Sequence, residues 1–587
     1  MNIYYLWDEQ LRIDKNRREE NHWFAYITEI LTRLGVSGKA IIAEEAETFS
    51  FTSDDLLFTG ADALPPSVLP ALREGLAGGM SLIGFGTAGA DGLFGVKTAG
   101  CPIRPEDEYA VNGYFNIRAE NKNAYLPVPE TAPDLPVFAP VGIYEAHGAE
   151  VIADISAGGR ILPAFFKHEN KNAYYFSFDL PQTMWVSAQG RPVYKSERGL
   201  SFTRISDARV TPPDYDTTVA YGDYYLYIIQ SILARLKQPA IHRLPPDNQG
   251  NVPDLLLFYA GDEDATPDIS IRASEIMYER GLPYHINLMP AGDDMRFVTT
   301  PREYDAIKAR GHELALHYNM VGYDFTEEEF ERQYRAYLHN YGETSVSTVG
   351  HCLTHRGWTG RGRYQKRLGI MGDSCRCAEY AEDINEFNLY GFAFGTSYPI
   401  FLYENSIHQN RKLDFTDIPI AYYEPRIGGK YHDGKTKIHK CIDDAVYFGR
   451  MINLFTHPHY VADNYGYDNT MTLAGLDEAV RYINEKGRNV IHSTPDRVCR
   501  FWHGRSKSQI TAYIRREGTV ICRVECYAEE GLIIRFPVDP VDIEKPVSVI
   551  ADGQPIRPVF KKVDGSDWLM VPVMGLGGHI IRIYDCE

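Results

Sequence analysis

Three shortages narrow the reading of this 587-residue chain before any motif is considered. Cysteine is scarce, with nine residues, an odd number, scattered through a long sequence. Disulfide-built domains are small and dense in cysteine, so these thiols read as buried groups of a reducing compartment. Cys375 and Cys377 stand close together, as do Cys522 and Cys526, but neither pair has a partner pair at zinc-finger spacing. Positive charge is also short. Lys and Arg total 60 against 79 Asp and Glu, a formal charge of -19, which argues against nucleic acid or an anionic membrane as a general partner. Long apolar runs are missing as well. None approaches the ~18 residues of a membrane span, and Met1 to Asp8 has neither the basic lead nor the apolar segment of a signal peptide. The expectation is a cytoplasmic protein with no membrane partner.

What is present is ordinary in bulk. Hydrophobic residues make up 44% and charged residues 24%, as in a soluble globular protein, and the length calls for roughly two to four domains. Aromatics reach 12%, with 40 tyrosines. Tyrosine has a flat apolar face and a polar tip that suit sugar rings, although core packing accounts for most of them.

The stretch from Asp254 to His317 organises the rest. The apolar run Leu255 to Tyr259 reads as a buried parallel strand that stops at Ala260-Gly261, followed by Asp262-Glu263-Asp264. Three carboxylates after a buried strand are costly unless something cationic meets them. Ile271 to Arg280 has helical spacing, Tyr284 to Leu288 reads as a strand, Pro301 to Arg310 as a helix, and His312 to His317 as a third strand. That order implies parallel pairing with right-handed crossovers. The acids and His317 therefore emerge at the same C-terminal sheet edge, where α/β folds build their sites. Acidic groups meeting imidazole there suggest a divalent metal of the zinc type.

The chain divides into three units, and the expected fold class is α/β. Residues 1–245 read as a flavodoxin-like α/β unit ending in a helix at Tyr224 to Leu236 and a Pro/polar linker from Lys237 to Gly250. Residues 246–508 alternate strand and helix and read as a distorted (β/α) barrel. Residues 509–587 carry short alternating runs with turn signals at Glu517-Gly518, Asp552-Gly553 and Asp564-Gly565, the pattern of an antiparallel β-sandwich. The first unit, through Ser81 to Phe85, Gly158 to Phe166 and Asn172 to Leu180, resembles the class I glutamine amidotransferase-like domains. An active amidotransferase needs a cysteine in a tight strand-to-helix turn. Here Gly84-Phe85-Gly86-Thr87 occupies that place. The unit reads as structural, a packing or oligomerisation module.

The second unit resembles the polysaccharide deacetylases, metal-dependent carbohydrate esterases. The resemblance rests on Asp262-Glu263-Asp264, on Gly311-His312-Glu313 leading to His317, on Arg356-Gly357-Trp358, on Leu454-Phe455-Thr456-His457, and on Ser493-Thr494-Pro495 leading to Trp502. It covers about 250 residues and implies a carbohydrate substrate and a bound divalent metal, with zinc expected. The family usually supplies two histidines four apart. Four residues after His317 this chain has Val321, so a further ligand must come from His351, at the end of the Ser345 to Val349 strand, or from His355. The implied ligand set is Asp264, His317 and His351, with Glu263 and His355 in reserve. The resemblance also implies Asp262 as general base, Arg356 or a similar cation holding that base ionised, and His457 as proton donor. Asp373 is expected to pair with Arg356 or to be a solvated loop acid, and His312 to be structural. His459 is a weaker candidate beside Pro458. Two other functions stay open: a glycoside-cleaving enzyme on the same barrel, and a non-catalytic carbohydrate-binding or scaffold protein.

Overall fold

We describe the fold from a computed structural model, which describes residues 2–128, 133–212, 215–377, 387–466, 468–516, 518–539 and 547–585. The chain is mixed α/β. Its first large sheet has nine strands. Gly38–Ile42, Asn2–Trp7, Asp55–Thr59, Ser81–Phe85 and Ala173–Phe176 lie side by side in parallel. The remaining four, from Arg160–His168 to Leu135–Val137, add antiparallel. At the turn after Ser81–Phe85, Gly86 takes φ 67°, and the buried Thr87 hydroxyl meets that of Thr59 at 2.8 Å.

The second large sheet positions the candidate site. Its parallel strands lie in the order Tyr422–Tyr423, Met451–Phe455, Leu255–Asp262, His285–Leu288, Glu313–Tyr318, Ser347–Gly350, Gly372–Asp373, Lys412–Asp417. Among the described residues no ladder joins Lys412–Asp417 to Tyr422–Tyr423. Val490–Ser493 pairs with the first half of Leu255–Asp262, and His285–Leu288 takes up the last three residues. That second pairing corrects the expected strand end, because Ala260, Gly261 and Asp262 stay in the ladder opposite His285, Ile286 and Asn287. Gly261 is required there, since a Cβ would stand 1.9 Å from the Thr456 carbonyl oxygen. Local chemistry sets the helices between strands. Thr300 and Glu303 form a capping box ahead of Pro301–Ala309. Thr326 caps Glu327–Tyr341, whose first turn is acidic and whose end is Gly342 at φ 72°.

Residues 509–585 form a five-stranded antiparallel sheet and three strands of a four-stranded one. Two strands there, Gln554–Ile556 and Val559–Val563, had no separate signal in the sequence. The segment expected to be a polar linker also departs from that reading. Ala240–Ile241 pairs with Leu532–Pro537 as an edge strand of the four-stranded sheet. Arg243 is fully buried and shares the Asp564 carboxylate with Arg535, at 2.8 and 3.2 Å. A charge this deep is tolerated because its partner is equally buried. Among the described residues there is no disulfide and no helix long and apolar enough to cross a membrane.

Candidate metal centre

The parallel topology brings side chains from distant parts of the chain to the C-terminal edge of the second sheet. Asp262 closes its strand, and Asp264 follows in a left-handed conformation, φ 50°. His317 lies within Glu313–Tyr318 and is fully buried. His351 follows Ser347–Gly350, and His457 stands two residues beyond Met451–Phe455.

His317 is the centre of the group. Its Nδ1 lies 3.2 Å from the Val349 carbonyl oxygen. A carbonyl only accepts, so Nδ1 carries a proton, and Nε2 is the ring atom turned to the carboxylates. That buried Nε2 makes no hydrogen bond. It faces Asp264 Oδ1 at 3.3 Å and Asp262 Oδ2 at 3.5 Å. His351 Nδ1 stands 3.2 Å from the same Asp264 Oδ1, while its Nε2 lies 3.5 Å from Cys352 Sγ. One atom each from Asp264, His317 and His351 lies within 4.8 Å of the others. Donors held at ~2.0–2.1 Å from one ion at tetrahedral angles are roughly 3.3–3.4 Å apart. Two imidazoles and a carboxylate are also the donor types that zinc and its neighbours take. The residues present fit such an ion, and the orphaned Nε2 is the atom that most needs one.

The other two groups border this trio. Asp262 is buried and accepts from Asn287 Nδ2 at 2.9 Å, and burial pushes its carboxyl above the usual range despite the neighbouring His317 and His457. His457 Nε2 stands 3.7 Å from Asp264 Oδ2 and 4.0 Å from Asp262 Oδ2. On its far side, Nδ1 and the backbone N–H both donate to Glu424 Oε1, at 2.6 and 2.8 Å. Burial alone would lower this imidazole, but the Glu424 hydrogen bond together with the charges of Glu424, Asp264 and Asp262 outweighs it and lifts the ring to about 9. Glu424, just after Tyr422–Tyr423 and fully buried, was missed in the sequence. A carboxylate after two tyrosines carries no motif, and only the strand register reveals its partner.

Other expected residues lie elsewhere. Glu263 turns away and accepts from the Met289 N–H, the Ala265 N–H and the Thr299 hydroxyl, so it ties down the following loop; burial pushes it up to about 7. His355 is buried with Nε2 on the Gly357 carbonyl at 3.2 Å, outside the trio. His459 Nε2 meets the Thr266 hydroxyl at 2.6 Å. His312 bridges the Tyr284 N–H and the Ser274 carbonyl, a structural role as expected.

Arg356 is exposed, and the guanidinium that meets Asp373 belongs to the buried Arg361, at 2.5 Å. The expected pairing of Asp373 with Arg356 is therefore corrected. Arg356 faces solvent because its neighbours are committed to packing. Gly357 pairs with Val193, and Trp358 stacks on Trp185, with ring centroids 5.4 Å apart.

A second acidic and imidazole group, His285, Glu313 and Asp496, lies at the opposite end of the same strands. Asp496 accepts from the Ser347 N–H at 3.0 Å and its hydroxyl at 2.6 Å, and contacts His285 Nε2 at 3.1 Å. These bonds dock the helix Pro495–Lys507 beneath the sheet.

No protein-family model matches the chain, and no curated protein matches it. Among solved structures, it is similar to a GH42 β-galactosidase from G. stearothermophilus at 14% identity and TM-score 0.21, over 30% of this chain. The match spans 27% of the galactosidase's length. It is similar to the chitin deacetylase of Colletotrichum lindemuthianum at 12% identity and TM-score 0.25, over 42% of this chain and 90% of the deacetylase. A third similar structure is PdaA of Bacillus subtilis, a family 4 carbohydrate esterase, at 10% identity and TM-score 0.23, over 40% of this chain and 77% of that one. At these values the likenesses decide neither reaction nor substrate; the side-chain geometry has to.

Proposed function

We propose that the chain hydrolyses an acyl group, an N- or O-linked acetyl, from a saccharide, with a zinc-type divalent cation held by Asp264, His317 and His351. In this proposal residues 246–508 form a distorted (β/α) barrel, flanked by the α/β unit 1–245 and a β-sandwich at 509–587. The observation that carries the reading is the buried Nε2 of His317, aimed at two carboxylates without a hydrogen bond to either. A buried polar atom left unsatisfied is expensive, and a cation held between imidazole and carboxylate is a partner that suits it. When bound, such an ion polarises an acyl oxygen and lowers the pKa of water from ~15.7 to about 7.

The protein's own groups do the rest. Asp262, oriented by Asn287, has Oδ2 turned to the cluster and serves as general base toward the attacking water. His457, held by Glu424, keeps a proton on Nε2 and delivers it to the departing amine or alkoxide. The base is held by Asn287 and the surrounding imidazoles, in place of the arginine that the sequence pattern implied. A glycosidase would need two carboxylates set across a sugar bond at ~5–9.5 Å. Asp262 and Asp264 instead share the same two imidazole nitrogens, those of His317 and His457, which favours a cation and one base. A scaffold role would leave the Glu424–His457 pair without purpose.

Elemental analysis of the purified chain, paired with acetate release from a panel of acetylated oligosaccharides, tests the assignment. One equivalent of metal is expected. Asp262→Asn should keep the fold and lose at least about 100-fold in turnover. A metal-free parent, or near-normal turnover by Asp262→Asn, overturns it.

A further inference from the structure

Apart from the Arg361 guanidinium, which donates to the Thr354 carbonyl at 3.0 Å, the turn that carries His351 is held from outside its own sheet. His351–Leu353 form a single 3-10 turn after Ser347–Gly350, and Cys352 and Leu353 take φ of 53° and 51°. Left-handed backbone is disfavoured for residues with side chains and persists only where the surroundings over-determine it. Here much of the surroundings comes from residues 193–208, far back in the chain. Arg204 Nε donates to the Cys352 carbonyl at 3.0 Å. The Thr203 carbonyl accepts from the His355 N–H at 2.9 Å, and the Thr203 hydroxyl donates to the His355 carbonyl. Val193 and Gly357 exchange two backbone hydrogen bonds, at 2.9 and 2.6 Å. Leu353 packs against an apolar cluster of Val193, Ile205, Ala208, Ala393 and Phe394. Arg204 is itself set in place, since its N–H donates to Asp207 Oδ2 at 2.8 Å at the start of Ile205–Ala208.

We propose that Arg204 is a positioning residue for the cation centre: it fixes the His351–Leu353 turn so that His351 Nδ1 stays beside Asp264 and His317. The inference rests on the reading of that trio as a cation site. It gives the N-terminal unit, which has no nucleophile, a part in the centre. The guanidinium suits the task because its charge strengthens the hydrogen bond to the carbonyl and its planar fork fixes direction, which a lysine ammonium does not. The chain from Arg204 through the Cys352 carbonyl to the His351 ring is short, so loosening its first link loosens the ligand.

The test measures zinc dissociation constants for the full chain by competition with a chromophoric chelator. Arg204→Ala should weaken zinc binding by about 10–100-fold, the usual cost of removing a group that orients a metal ligand, and Arg204→Lys should recover only part of it. Arg191→Ala, which removes a surface ion pair with Glu197 in the same segment, should bind zinc as the parent does. If Arg204→Ala yields no folded chain, Arg204→Gln, which keeps a donor, carries the comparison. Binding within about twofold of the parent in the folded Arg204 variants overturns the role of Arg204 and leaves the centre standing. A parent that takes up no zinc overturns the centre, and Arg204's role with it.

Discussion

Replacing Glu424 by glutamine isolates the acid end of the site. Glu424 Oε1 accepts from the His457 backbone N–H and from Nδ1. Burial works against the charged ring, but the Glu424 hydrogen bond, with the charges of Glu424, Asp264 and Asp262, raises it from 6.5 to about 9. At 1.36 kcal/mol per pKa unit, that rise is worth roughly 3 kcal/mol in favour of the imidazolium. Glutamine keeps the shape and an acceptor oxygen but loses the charge. The larger part of that preference goes with it, and His457 falls back toward the ordinary imidazole range. A group whose pKa is raised on folding lends stability that is fully present below its unfolded value, about 6.5, and is lost as pH rises through about 9. The stability gap between parent and Glu424→Gln is therefore widest below about pH 6.5 and closes near pH 9. Turnover follows the same proton. A general acid must be protonated, so the alkaline limb of kcat/KM lies near 9 in the parent and moves down by about two pH units in the variant. Acetate release measured across pH, with an NMR titration of the His457 ring, checks both. An unmoved alkaline limb together with an unmoved ring titration refutes the Glu424–His457 pairing.

Three further outcomes follow from the same geometry. Burial opposes the charge on both Asp264 and His351, but the combined pull of their neighbours prevails: His317, His351 and His457 on Asp264, and Asp264 with Cys352 on His351. That pull holds the carboxyl well below its usual range and raises the imidazole to about 10. A cation must displace the His351 proton, so zinc affinity should rise at least about tenfold per pH unit between about pH 6 and 8, and His317→Ala should hold well under one equivalent by elemental analysis. A flat pH dependence, or a full equivalent in His317→Ala, would refute the ligand set. Gly261→Ala would place a Cβ 1.9 Å from the Thr456 carbonyl oxygen and 2.5 Å from the Tyr284 hydroxyl oxygen. It should cost about 1–3 kcal/mol or more, read as a lower thermal midpoint, and a parent-like midpoint would contradict the close approach of the two strands.

The gross order was legible because apolar runs alternate with amphipathic stretches, and right-handed crossovers leave little choice of edge. That is why Asp262, Asp264, His317, His351 and His457 could be placed at one sheet edge from sequence. Register was not legible. Asp262 stays in its strand because Asn287 pairs opposite it, a fact that no local pattern contains. Arg356-Gly357-Trp358 shows the same gap. Its spacing fits an arginine beside an aromatic, but Trp358 is consumed by stacking on Trp185, 173 residues earlier in the sequence, and Arg356 is left in solvent. The segment 237–250 looked like a linker because its polar and proline content is that of a linker. The burial of Arg243 depends on Asp564, 321 positions away, and Glu424 likewise became visible only beside His457.

The charges at the site can be balanced in two ways. Among the described residues no lysine or arginine forms an ion pair with Asp262, Asp264 or Glu424; their partners are His317, His351 and His457. Glu424 is offset by protonated His457. That leaves Asp262 and Asp264 facing His351 and His317, whose Nδ1 is committed to the Val349 carbonyl. Without an ion, Asp264 favours the charged form of His351, and burial favours the neutral form of Asp262. A divalent ion would offset both carboxylates and give the buried Nε2 of His317 a partner. Buried carboxylates tolerate either state and little between, because an uncompensated charge in that setting costs several kcal/mol. Under the proposed function, loading the centre would therefore favour the ionised form of Asp262, the form a general base needs.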